Sequence, residues 1–368
     1  MNKLKKLGLT ALGTTLVASS AFAGEITASG DAGYTWSSES VGGSSATGGA
    51  TGGATNDGIG YNHDITFSGS GELDNGWSVS TTMILVEDSS LSSSNVALTM
   101  GGLGTVKVGN GTGSVGSNYD NALPTAYEEN HDGQKTTTAI DSMGSLLDNG
   151  GIDYTSPAID LMGASITLRY GMVPEAGDTA TGEGGVSTAH ATYASGSQYG
   201  ANISYGGFEI GGYYGEATTD GGTTGTHDQD ATDITAFVKY TAGPVSIGYQ
   251  EGYIDRGLSG STEGDNASAK TVAAAVGAFD IEALSVAFNV NENFSISYQE
   301  VEETYDAQDD QADGSDTPDV AMESTSIQFA YTMGSMSIKG YQTDTDNPGW
   351  DSDAKSDEVT ELAVNFAF

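Results

Sequence analysis

Glu358-Val359-Thr360-Glu361-Leu362-Ala363-Val364-Asn365-Phe366-Ala367-Phe368 is the stretch whose reading decides the fold. Leu362, Val364, Phe366 and Phe368 fall on one face of an extended chain, and Ala363, Asn365 and Ala367 on the other. Alternation of period two is the mark of a β-strand with one apolar side, because successive side chains point to opposite faces. Such a strand fits the half-buried edge of a soluble sandwich or the wall of a barrel that turns its apolar face outward. The other end of the chain separates the two. Lys3, Lys5 and Lys6 precede an apolar run from Leu7 to Val17, and Ala21-Phe22-Ala23 supplies a small-x-small cleavage pattern. Residues 1–23 therefore read as a secretory signal peptide, and the mature chain begins Gly24-Glu25-Ile26. The apolar run is too short, and too rich in Gly and Thr, for a membrane anchor. With export in place, the membrane reading wins.

Composition narrows the choice further. The absence of Cys excludes a disulfide framework and zinc–thiolate sites. The net charge of −39 would repel phosphates, which excludes nucleic acid as a partner. Charge of that size can also keep a chain unfolded, but 18 Tyr and many alternating segments oppose disorder here. No stretch after residue 23 is apolar for the length of a membrane helix. A membrane-spanning form must then be a closed barrel, where every strand's backbone groups are paired.

The alternation places sixteen strands at 25–37, 61–72, 77–87, 94–101, 104–110, 150–157, 164–173, 197–206, 208–217, 231–241, 244–254, 280–290, 293–303, 323–333, 335–343 and 357–368. Brief connections such as Leu73-Asp74-Asn75-Gly76 and Tyr205-Gly206-Gly207 carry tight-turn residues. They alternate with long polar ones at 38–60, 111–149, 174–196, 218–230, 255–279, 304–322 and 344–356. Short turns on one rim and long loops on the other are the asymmetry of an outer-membrane barrel. The fold expected is an all-β, transmembrane antiparallel barrel of about 16 strands, forming a single domain over residues 24–368.

The alternation also sorts the faces. Ile166, Leu168 and Tyr170 share one face, as do Ile234, Val238 and Tyr240, then Phe294, Ile296 and Tyr298, and Ile327, Phe329 and Tyr331. Lys107, Arg169, Lys239 and Lys339 lie on the face opposite their apolar neighbours. A cation facing lipid at mid-membrane costs roughly 2–4 kcal/mol, so these four are expected to face a wet lumen. The acidic residues gather in the long connections. The segment from Glu302 to Asp319 also holds Glu303, Asp306, Asp309, Asp310, Asp313 and Asp316, with no basic residue, and reads first as a solvated loop. Structural calcium at Asp309, Asp310, Asp313 and Asp316 is the sharper alternative. A true EF-hand is excluded, because Val320 stands where the bidentate Glu belongs.

Several motifs carry a family resemblance. Gly24-Glu25-Ile26-Thr27-Ala28-Ser29-Gly30-Asp31-Ala32 resembles the first strand of alphaproteobacterial general porins. Ile65-Thr66-Phe67-Ser68-Gly69 with Leu73-Asp74-Asn75-Gly76-Trp77 resembles their second hairpin, and Leu103-Gly104-Thr105-Val106-Lys107-Val108-Gly109 the strand leading to their pore loop. The tail ending in Phe368 resembles the closing strand of Gram-negative outer-membrane proteins, whose terminal aromatic signals to the barrel assembly machinery. The resemblance implies a homotrimer in the bacterial outer membrane, among lipid and lipopolysaccharide, passing small hydrophilic solutes and ions through a water-filled pore. It also implies that residues 111–149 fold into the barrel. The candidate constriction then comprises Asp120, Glu128, Glu129, Asp132, Asp141 and Asp148, faced by Lys107, Arg169, Lys239 and Lys339. Arg169 is the only arginine in these strands, so the family's dense arginine cluster is thin. Excess carboxylate points to cation preference.

Other functions find less support. No Gly-x-Ser-x-Gly elbow occurs, and His63, His131, His190 and His227 are scattered without metal-ligand spacing. Gly111-x-Gly113-x-x-Gly116 follows a strand, but Pro124 comes too soon for the helix of a dinucleotide site. No enzyme and no cofactor is expected. The alternative is a structural or adhesive barrel that conducts nothing.

Overall fold

Residues of alternating polarity form strands only if both rows find a suitable medium, and here closure supplies it. The computed structural model describes residues 26–41, 54–86, 91–110, 114–120, 122–128, 130, 138–147, 151–173, 195–218, 230–258, 277–307 and 319–368. Residues 1–23, the expected signal peptide, lie outside them. The strands are β1 (Ile26–Val41), β2 (Ala54–Glu72), β3 (Ser78–Leu85), β4 (Leu91–Thr99), β5 (Thr105–Asn110), β6 (Gly151–Thr155), β7 (Ile159–Leu161), β8 (Ala164–Val173) and β9 (Ser195–Tyr205). They continue as β10 (Phe208–Thr218), β11 (Ala231–Ala242), β12 (Val245–Asp255), β13 (Ala278–Asn291), β14 (Phe294–Asp306), β15 (Val320–Met333), β16 (Met336–Asp346) and β17 (Asp357–Ala367).

Neighbours pair antiparallel, and β17 returns to β1 with Tyr34 opposite Val364, so no edge is left open. The ring holds sixteen strands, as the alternation predicts. β7 pairs with β8 alone and adds no position; Pro157, which has no N–H to give a ladder, separates it from β6. The short turns take the shapes their residues favour. Between Tyr205 and Phe208 both Gly206 and Gly207 have positive φ, 57° and 89°, the two-residue hairpin that twists with its strands.

The two faces differ sharply. On β13, Phe279, Ile281, Ala283 and Ser285 are sealed inside, while Leu284, Val286 and Phe288 point out at 43%, 38% and 39% exposure. Outward rows of this kind recur on β8, β10–β12, β14, β15 and β17, with Leu168, Ile210, Val238, Ile247, Ile296, Ile327 and Leu362 all exposed. So much contiguous apolar surface requires a covering medium. Aromatic residues bound the band. Near the short turns Phe208 packs on Tyr240 at 4.3 Å between ring centroids. Toward the long loops Tyr170, Tyr199 and Tyr214 follow one another across three strands. Above them the outer face turns acidic: the hydroxyls of Tyr214, Tyr249 and Tyr298 donate to Glu216, Glu251 and Glu300.

Candidate functional site

Inside a barrel, strand side chains alone must fill or leave open the space, and here one loop divides it. The described parts of the 111–149 connection lie against the inner wall, as the family resemblance implies. Val115, Tyr119, Leu123, Ile140, Met143, Leu146 and Leu147 are all buried there. At roughly 1.5–3 kcal/mol each, burying seven such side chains supplies the bulk of the loop's docking.

Polar wall residues fix its path. Gln198 on β9 accepts from Gly116 N–H (2.9 Å) and donates to the Leu147 carbonyl (3.1 Å), so one side chain holds both ends of the loop. Gln250 on β12 accepts from Ala122 N–H (3.1 Å) and donates to the Tyr119 carbonyl (2.9 Å). On β14, Ser297 accepts from Ala126 N–H (2.8 Å). Gln328 on β15 accepts from Tyr127 N–H (3.0 Å) and donates to the Glu128 carbonyl (2.6 Å). The chain thus crosses from β9 to β15, and the Tyr127 hydroxyl then reaches Glu361 on β17 at 2.7 Å. Burial and the Glu361 carboxylate together push this phenol well above the usual tyrosine range, so it stays a donor.

The return leg is capped at both ends of a single 3₁₀ turn, Ile140–Ser142. Glu303, 1% exposed, accepts from Ala139 N–H (2.9 Å) and Ile140 N–H (2.6 Å). Arg256 donates to the Ser142 carbonyl (3.4 Å) and to the Ser145 hydroxyl (3.0 Å). The acid sits at the amide end and the base at the carbonyl end, as the turn's dipoles favour. Trp350, from the connection before β17, donates to the Glu303 carbonyl (3.1 Å) and packs on Phe279 at 4.6 Å.

Small residues on the wall make room. A Cβ on Gly200 would lie 2.5 Å from the Tyr119 hydroxyl, and one on Gly248 would lie 2.7 Å from Pro124. The seat is therefore built from glycines at inward positions and glutamines between them.

The four strand cations face inward, as their parity requires, and each is engaged. Lys107 pairs with Asp153 at 3.7 Å and Lys239 with Glu209 at 3.3 Å. Arg169 donates to Asn202 and, at 3.3 Å, to the Tyr119 hydroxyl. Lys339 lies over the Tyr127 ring, 5.1 Å from its centroid. Of the acidic loop candidates, Asp120 and Glu128 lie on the docked leg, where their backbones bond Gln250 and Gln328. Asp141 is exposed on the 3₁₀ turn. Glu129, Asp132 and Asp148 fall outside the described residues, as do Asp309, Asp310, Asp313 and Asp316 of the calcium alternative. Phe368 exchanges backbone hydrogen bonds with Gly30 of β1, both at 2.9 Å.

Sequence reasoning missed the anchors. The sequence places Glu303 in the solvated acidic segment, whereas β14 runs on to Asp306 and turns Glu303 inward. Gln198, Gln250 and Gln328 did carry a signal: each is a polar residue in register with the inward face of an apolar-alternating strand.

Comparisons with known proteins agree on the fold. No family model matches the chain, and no curated relative does. Solved structures do. The structure of a porin refined at 1.8 Å resolution shares 17% identity and a TM-score of 0.55, covering 94% of this chain and 100% of that one. Salmonella typhi OmpF in complex with daunomycin shares 11% identity at a TM-score of 0.64, covering 94% and 98%. The anion-selective porin from Comamonas acidovorans shares 12% at 0.60, covering 94% and 99%. The chain therefore has the fold of Gram-negative porins.

Proposed function

We propose that this chain is an outer-membrane porin through which small hydrophilic solutes and ions diffuse passively, with a preference for cations. The observation that carries the reading is the inverted barrel: apolar residues face out, polar residues face in, and one loop is anchored along part of the inner wall. A lipid bilayer is the medium that covers such an outer band, and a wet lumen suits such an interior. The cation preference rests on charge. Lys107 and Lys239 are matched by wall carboxylates, and the chain carries 50 acidic against 11 basic residues. Carboxylates in and around a pore raise local cation concentration and repel anions. The reading includes the homotrimer, the lipopolysaccharide surroundings and the assembly role of Phe368 that the family resemblance implies.

Planar-bilayer recording across a salt gradient tests it. Large, stable conductance steps with a cation-selective reversal potential are expected, and closure in threes would report the trimer. Silence from folded, heat-modifiable protein would favour the structural or adhesive barrel. Anion selectivity would refute the charge argument while leaving the pore.

A further inference from the structure

The lumen has two unlike walls. The loop lies against the strands from β9 to β15, and β1–β4 stand eight places round the ring from β10–β13. The inner face of β1–β4 is short and uncharged over most of its area. Thr35 lies opposite Gly60, Gly33 opposite Asn62, and Thr82 opposite Asn95. The sequence holds no lysine or arginine between residues 26 and 106, so this wall carries no cation. Its mid-strand charges are Asp31 and Asp64, which face each other directly in register.

A transverse field needs opposite charges across the lumen. It orients dipolar solutes and penalises uncharged ones, which must displace water aligned by the field. Here β1–β4 themselves supply no positive half; Lys339 of β16 lines the same cavity as Asp31 and Asn62 but lies over the Tyr127 ring, and Lys107, Lys239 and Arg169 are held by carboxylates or a carboxamide. Hydroxyl and carboxamide groups instead offer donors and acceptors that can replace a solute's hydration one for one. Because these side chains are short, little rotamer freedom is lost in doing so.

We propose that the β1–β4 wall sets solute selection, and that it suits uncharged polyhydroxylated solutes. Zwitterions gain no orientational advantage from it, and anions are disfavoured by Asp31 and Asp64. This rests on the porin reading above and names the solute class for that pore.

Swelling of proteoliposomes in isosmotic solutions tests the proposal. The solutes are a neutral pentose, a zwitterionic amino acid of matched size and a sugar acid. In the wild type the neutral and zwitterionic solutes are expected within about twofold of each other, with the anion several-fold slower. Thr35→Arg with Thr82→Arg would create the missing positive half, and should raise the zwitterion-to-neutral ratio several-fold. A wild-type pore that already favours the zwitterion several-fold, or passes the anion fastest, overturns the proposal. The wild-type comparison decides even where the double variant fails to fold. No swelling with any solute from folded protein would instead overturn the porin reading beneath it.

Discussion

Glu303→Ala should loosen one leg of the inner loop without unfolding the barrel. Glu303 is 1% exposed and accepts from two buried N–H groups, those of Ala139 and Ile140. Leaving a buried donor unsatisfied costs about 1–3 kcal/mol, so the pair puts roughly 2–6 kcal/mol at stake before any water enters the gap. Against this, Ile140, Met143, Leu146 and Leu147 remain buried on the same leg and hold it by roughly 6–12 kcal/mol. The leg therefore stays seated but opens more often at its start. Hydrogen exchange read by mass spectrometry on peptides spanning 138–147 should show protection falling by about 30-fold or more, since each 1.4 kcal/mol is tenfold. Peptides from β10–β14 should be unchanged, and single-channel records should gain open-state noise. Unaltered exchange at 138–147 would refute the capping role. A loss of heat-modifiability would place Glu303 in the barrel's own stability instead.

Gly200→Val should displace Tyr119, because a Cβ there already falls 2.5 Å from its hydroxyl, and overpacking costs about 1–3 kcal/mol; a change in conductance with an intact heat-modifiable barrel is the expected readout, and wild-type currents would show the seat to be slack. Val286→Arg puts a cation in the outward apolar band and should cost roughly 2–4 kcal/mol in urea unfolding from lipid vesicles; a neutral effect would mean that the band does not face hydrocarbon. The row Glu251–Glu282–Glu302–Glu323–Asp346 sets carboxylates directly opposite one another on five adjacent strands, within the ~10 Å screening length of 0.1 M salt. The melting midpoint should therefore rise with ionic strength, and Glu282→Gln with Glu302→Gln should flatten that rise; an equal slope in both proteins would remove the row as its cause.

The sixteen ring strands were legible because each obeys one local rule, and neither their pairing nor the barrel's closure changes that rule. The loop's inward course was legible only through resemblance. Its anchoring depends on contacts such as Tyr127 with Gln328, 201 residues apart, and no local pattern records such a distance. Arg169 shows the limit from the other side. Its inward parity could be read from Leu168 and Tyr170, but its partners, Asn202 and Tyr119, lie on another strand and on the loop. A residue's face follows from its own strand, whereas its role follows from what the loop brings to that face.

Strand length was the least legible feature, and charge is the reason. Sequence reading closed one strand at 303 and opened the next at 323, where acidic residues replace apolar ones. The observed β14 reaches Asp306 and β15 begins at Val320. Crossing a bilayer takes about 9–11 residues, yet β13, β14 and β15 have 14, 13 and 14. The surplus carries the outward Glu282, Glu302 and Glu323 above the tyrosines. Their inner faces meanwhile seat the return leg, through Glu303 and the cluster of Phe279, Ile281, Val301, Tyr305 and Met322. The ladder is thus extended where its outer face is acidic rather than apolar, because its inner face still has a loop to hold. Acidic residues that read as a break in the strand are the solvated side of a wall whose other side is packed.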